Sequence, residues 1–217
     1  MNSVRSLTHS TLPLTPPAAS WNRTIGLVLS LAAPLGGCIS TGELPEHANI
    51  QGPLPQNVRF VAIHAMPMKP GTIRNVEKLT LTDAPPLFVG DLKDALALKQ
   101  PSWQIKLASE GDANSDQDLI IATELLEIDG GSAALRFWIG LNTGAILSRV
   151  KVSILDKTGK DLANANISEH TACPVGACTD STEAMVQRNL KNLAEDVAQF
   201  IADPAGYEKK MTSKPKS

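Results

Sequence analysis

No acidic residue precedes Glu43: all 22 Asp and Glu residues lie from that point on, while Arg5 and Arg23 are the only charged side chains ahead of Cys38. That asymmetry decides which part of the chain can fold as a water-soluble body. The leader is rich in Ser, Thr and Pro, and it runs into the apolar stretch Ile25-Gly-Leu-Val-Leu-Ser-Leu-Ala-Ala-Pro34-Leu35-Gly36-Gly37-Cys38. A basic, acid-free leader followed by a short apolar run is the pattern of an export signal. The run falls short of the roughly 20 residues that a permanent membrane-crossing helix needs. Residues 1–37 are therefore expected as a cleaved leader.

The end of the run narrows the kind of export. Leu35-Gly36-Gly37-Cys38 places an aliphatic residue and two small residues before a cysteine, and it resembles the lipobox of bacterial lipoproteins. A peptidase must fit a narrow backbone beside the bond it cuts, and acyl transfer needs a thiol at membrane depth. The resemblance implies that Cys38 is the lipidation site, carrying diacylglycerol and an acyl chain such as palmitate, and becomes the new N-terminus. Two or more acyl chains anchor firmly where one is marginal. In the lipoproteins that this stretch resembles, an acidic residue after the cysteine favours retention in the inner membrane. Ile39 stands there instead, which implies transfer to the outer membrane with the body facing the periplasm.

Beyond the cysteine, residues 38–57 contain Gly42, Pro45, Gly52, Pro53 and Pro55 without periodicity and read as a polar tether. A single folded domain is expected over residues 58–203. Arg59–Ala65 is a short apolar run that predicts a strand. Thr82-Asp83 before Pro85-Pro86 marks a helix start, and Phe88, Leu92, Ala95 and Leu96 continue a one-faced helix to about Gln100. Trp103, Ile105 and Leu107 alternate with polar residues as a half-buried strand does. Asp118–Ile128 is apolar on both faces and belongs in the centre of a sheet, turned by Gly130-Gly131. Val150, Val152 and Ile154 alternate with polar residues, and Asp156-Lys-Thr-Gly159 turns them into Leu162–Ile167 as a hairpin. Asp180-Ser-Thr-Glu183 resembles a capping box for a final helix whose apolar residues recur at three and four until Asp203-Pro204 stops it. Residues 204–217, with Lys209, Lys210, Lys214 and Lys216, read as a solvated basic tail. This order suits an α+β two-layer sandwich, a mostly antiparallel sheet with two helices on one face.

A second resemblance rests on Asp118-Leu-Ile-Ile, Gly130-Gly131-Ser-Ala-Ala-Leu-Arg136, Gly140-Leu-Asn-Thr-Gly144 and Val150–Lys160. Together these are similar to a family of Gram-negative lipoproteins described only as a domain of unknown function. The residues that match its pattern are Arg136, Gly140 and Gly144. Asn142 departs from it, in place of a Gly, but Asn tolerates positive φ. The resemblance supplies no activity. Gly140 and Gly144 suit a tight crossing between strands or a small-residue packing surface, and Arg136 suits a carboxylate such as Glu127 or Asp129.

With Cys38 lipidated, Cys173 and Cys178 remain, four residues apart in an oxidising compartment, and a disulfide leaves no thiol over. The competing arrangement is a metal held by His170, Cys173, Cys178 and Asp180, whose spacing is unlike common zinc frameworks. His64 reads as a half-buried strand histidine, and Asp91 and Asp94 as the wet face of a helix. No phosphate loop, dinucleotide fingerprint or nucleophile elbow is present, so no catalytic residues, metal or cofactor are assigned. The formal net charge of −2 and 4% aromatic content argue against nucleic-acid binding. The expected function is a lipid-anchored envelope module, assembling with or binding a protein partner without catalysis. An envelope enzyme or metal binder using the His170/Cys173/Cys178 loop is the alternative.

Overall fold

The computed structural model describes residues 39–108, 117–132, 134, 144–172 and 180–207, with residues 39–47 described by their backbone alone. Its elements are β1 (Ile39–Ile50), β2 (Phe60–Ala65), β3 (Ile73–Arg74), α1 (Ala84–Lys99), β4 (Gln104–Ala108), β5 (Leu119–Asp129), β6 (Ile146–Asp156), β7 (Asp161–Ala172) and α2 (Thr182–Ala202). The leader, residues 1–37, lies outside the described residues.

The strands form one sheet in the order β1-β7-β6-β5-β2-β4, with β3 continuing the β2 side of β5. The fold is mixed α+β as expected, but the sheet is mixed and not mostly antiparallel. β1, β7, β6 and β5 pair antiparallel, whereas β2 pairs parallel with β4 and β5, and β3 parallel with β5. The reason lies in α1: a strand, a helix and a strand in succession make a crossover, which returns the chain to start its next strand in the same direction.

The tether is the second correction. Ile39–Ile50 pairs with β7 along nearly its whole length, from Ile39 opposite Ala172 to Ile50 opposite Ala163, and Gln51 adds a hydrogen bond from its N–H to the Leu162 carbonyl. The register shifts between Glu43 and His47, at Leu44-Pro45-Glu46. Proline cannot donate to a ladder and is tolerated at a bulge on an edge strand, so the residue that argued for a tether marks the irregularity.

Alternation along the long strands sorts the two faces of the sheet. Leu119, Ile121 and Leu125 on β5, Val150, Val152 and Ile154 on β6, and Ala163, Ala165 and Ile167 on β7 are buried on one face. α1 touches β2, β4 and β5, α2 touches β1, β6 and β7, and the helices touch each other. Phe88, Leu92 and Leu96 from α1 and Met185, Leu193, Val197 and Phe200 from α2 complete the core. Each fully buried large side chain contributes about 2 kcal/mol. The opposite face of β5 and β6 is charged: Lys69 lies 3.0 Å from Glu124, and Arg149 3.6 Å from Glu127.

α2 starts at Ser181, whose hydroxyl accepts from the Ala184 N–H at 3.2 Å. The cap is one residue later than Asp180, which instead accepts from the Arg188 guanidinium at 2.7 Å. Beyond α2 the domain does not end at Asp203. A helical turn runs to Tyr207, with the Asp203 carboxylate accepting from the Gly206 N–H at 2.9 Å. Tyr207 is buried and meets Phe200 edge-on, ring centroids 5.6 Å apart.

At the start of β5, Asp118 ties β2 into place. Its carboxylate accepts from the backbone N–H groups of Arg59 and Phe60 at 2.8 and 3.0 Å, and these two bonds hold its pKa below the ordinary carboxylate value. A depressed carboxyl pKa stabilises the fold above the unfolded-state value and loses that contribution as pH falls through the folded value. Asp118→Asn is therefore expected to lower stability at neutral pH and to flatten the loss of stability below pH 3.8. Urea unfolding midpoints measured between pH 2 and 7 test this; an unchanged slope would remove Asp118 from the acid response.

Candidate functional site

The topology gathers the notable residues at one end of the sheet. β1 begins there, β2, β4, β5 and β7 end there, and both helices start there, since Leu87 shares a groove with Val186 while Lys99 donates to Gln199 at 3.0 Å. We call it the leading end. The opposite end carries the β6–β7 turn and Tyr207.

At the leading end, Gly130 and Gly131 form a junction of several backbones. The Gly130 N–H donates to the Arg74 carbonyl at 2.9 Å, and a Cβ at Gly130 would strike the Asn75 carbonyl and lie 2.9 Å from Thr182. Gly131 has φ +63°, and a Cβ there would collide with the carbonyl oxygens of Gly144 and Ala145. Asp129 braces the turn, its Oδ1 accepting from the Gly131 N–H and from Asn75 Nδ2, both at 2.8 Å. Asn75 itself has φ 56°, a conformation that Asn tolerates better than most residues. Of the residues matching the family pattern, Gly144 is placed here with φ 74°, packed against Gly131. Arg136 and Gly140 lie outside the described residues. The carboxylates proposed for Arg136 have other partners: Arg74 pairs with Glu127 and lies 3.4 Å from Asp129, and Arg149 also reaches Glu127.

A second group is buried beneath α2. Asn189, fully buried, donates from Nδ2 to the Glu169 carbonyl at 3.1 Å and to Thr171 Oγ1 at 2.9 Å. Glu169, Thr171 and Ser148 lie buried on the same face of β6 and β7. Sequence reading missed this group because it followed only apolar residues along α2 and ended the last strand at Ile167. The one available signal was Asn189 beside the apolar stripe.

His170 alternates with Glu169 and Thr171 and so sits on the other face of β7, opposite Leu147 and Thr41. Asp180 is engaged with Arg188. Cys173 and Cys178 lie outside the described residues, as does Cys38. Among the described residues no group of three or more His, Cys, Asp or Glu side chains could hold a metal ion. His64 is half-buried on β2, as read, and its Nε2 finds no hydrogen-bond partner among the described residues. Asp94 is exposed on the wet face of α1, as read, and Asp91 is half-buried beside it in a groove with Lys191 and Glu195. Burial, then the carboxylates of Asp94 and Glu195, raise its pKa against the opposing pull of Lys191.

Comparison with solved structures finds remote likenesses. The PelC dodecamer from Paraburkholderia phytofirmans is 12% identical, over 72% of this chain and 96% of that chain, with a TM-score of 0.40. A DUF330 protein from Xanthomonas campestris is 12% identical, over 77% and 97%, with a TM-score of 0.44. A protein from Caulobacter crescentus assigned as a lipoprotein is 17% identical, over 66% and 92%, with a TM-score of 0.33. Comparison with curated proteins gives no match. Residues 75–173, from the start of the Asn75 turn to just past the end of β7, match the model of a family described as a domain of unknown function, DUF4410.

Proposed function

We propose that this chain is a lipid-anchored lipoprotein of the outer membrane, whose two-layer α+β domain faces the periplasm as a non-catalytic module that assembles with or binds an envelope protein. The observation that carries the reading is the junction of Leu35-Gly36-Gly37-Cys38 with β1: the cysteine that resembles a lipoprotein anchor immediately precedes Ile39, the first residue of an edge strand. Acyl chains on Cys38 would hold the domain by its sheet, with no spacer between. The described residues hold no helix long and apolar enough to cross a membrane, and the DUF4410 match carries no activity with it.

Intact-mass analysis of the protein purified from membranes tests the anchor. The wild-type chain is expected to begin at Cys38 with added acyl mass, and Cys38→Ser to remain full-length and unmodified; identical masses for both would sink the proposal. Alkylation without reduction, read in the same spectra, tests a Cys173–Cys178 disulfide. No added group is expected, whereas two would refute the bond.

A further inference from the structure

α1 and α2 run side by side in the same direction, with Leu87 beside Val186 at their starts and Lys99 donating to Gln199 at their ends. The seam between them is open. A cavity of about 260 Å³ at Leu87 is followed by one of about 440 Å³ at Asp91, Asp94 and Leu98. Phe88, Leu92 and Leu96 turn α1 into the core, whereas Leu87, Asp91, Asp94 and Leu98, at helical spacings of four and three, form a second stripe along the seam. Its two leucines are 48% and 85% exposed. They stand about three turns apart, roughly 16 Å at about 1.5 Å per residue, so one rod-shaped ligand can touch both. Between them the walls are acidic: the two cavities are lined by five carboxylates and three lysines, and Lys99 is already turned to Gln199. Burial, then Asp94 and Glu195, raise the Asp91 pKa in spite of Lys191, which marks a place where a further positive charge is welcome.

We propose that this seam is the docking groove for an amphipathic helix of another envelope protein, whose apolar side chains, about three turns apart, seat against Leu87 and Leu98 while lysines or arginines between them meet Asp91, Asp94 and Glu195. This rests on the reading of the domain as a binding module, and names the surface and the chemistry of what it binds. Apolar anchors hold a helix laid in such a groove, and the charges between them decide which helices are admitted. Other occupants fit less well. A second copy meeting this one along the same stripe would set Asp91 and Asp94 against their own counterparts, and like charges in contact repel. Lipid phosphates would meet the same carboxylates. Residues 208–217 bring four lysines but a single large apolar side chain, Met211, and so fill one seat at most.

The test uses the whole protein in its native membranes, with a photo-crosslinking phenylalanine derivative in place of Leu87, of Leu98 or, as a control, of Lys151, which is exposed on the opposite face of the sheet. Peptide mass spectrometry reads what each position captures. Positions 87 and 98 are expected to capture the same protein, within one segment that carries basic residues between its apolar ones, and position 151 to miss that segment. Asp94 is exposed, so Asp94→Lys is expected to keep its urea midpoint and to lower capture at both leucines roughly tenfold. Asp94→Glu, which keeps the charge, is expected to retain it. Capture that Asp94→Lys leaves unchanged would overturn the basic helix, as would capture from one leucine alone. Crosslinks to lipid, to residues 208–217 or to a second copy would overturn it too, each naming the occupant in its place. Nothing at either leucine, with a protein captured at position 151, would overturn the groove and leave the binding module standing. Nothing at any of the three positions would count against both.

Discussion

Gly131→Ala is expected to lower stability by about 3 kcal/mol, while Gly159→Ala, at an equally left-handed position, costs about 1 kcal/mol. Both glycines have positive φ, +63° and +82°, so both substitutions carry the strain of an L-residue there. Around Gly159, in the β6–β7 turn, a Cβ meets nothing within 4 Å. Around Gly131 it meets the carbonyls of Gly144 and Ala145, which are backbone and cannot swing aside. The difference of about 2 kcal/mol isolates the close approach of the two chain segments, an overpacking cost separate from dihedral strain. Urea unfolding of the two variants measures it directly; equal losses would mean that the Gly131 turn relaxes and that Gly144 is not held against it.

The largest packing loss is expected at the end of α2. Phe200 is fully buried and Tyr207 is 8% exposed, with their rings 5.6 Å apart at 72°. Phe200→Ala is expected to cost about 4 kcal/mol and Tyr207→Ala about 3 kcal/mol, the range for deleting buried aromatic rings. The double variant should fall short of their sum by about 1 kcal/mol, the coupling of an edge-to-face pair. A chain ended at Asp203 should lose as much as Tyr207→Ala. Additive losses in the double variant would show that the two rings contribute only by burial.

Asp203-Pro204 illustrates how much could be read from residues and how much could not. As a stop for α2 it was legible, because proline cannot continue a helix. The same pair is also a start, Asp as cap and Pro at the first helical position, and the short turn to Tyr207 looked like tail because one turn shows no periodicity. The strands β2, β4, β5, β6 and β7 and both helices were legible for the opposite reason: each is long enough for apolar spacing to repeat. β3, two residues long, carries no pattern at all. β1 was hidden by Gly42 and Pro45, which are compatible with an edge strand but are indistinguishable from linker residues without the partner. Parallel pairing of β2 with β5 depends on which strands become neighbours, and local sequence does not encode that. At the leading end, Gly130-Gly131 and Gly144 were legible as turn chemistry. Arg74 and Arg149 were not, since a surface arginine announces a partner only when the facing strand is known.

The pairing of β1 with β7 joins Ile39 to Ala172, so the first strand to be made finds its partner only among nearly the last. Contacts of such sequence separation are slow to form, because the intervening loop must close before any bond repays it. The crossover of β2, α1 and β4 and the hairpin of β6 and β7 are local by comparison and can assemble first. Until β1 docks, β7 presents an open row of hydrogen-bonding groups along most of its length, the kind of edge on which chains stick to one another. Acyl chains on Cys38, as proposed, would hold the start of β1 at the membrane surface while the rest of the chain is still emerging, keep that strand close by at high local concentration, and so shorten the time for which the edge stays bare.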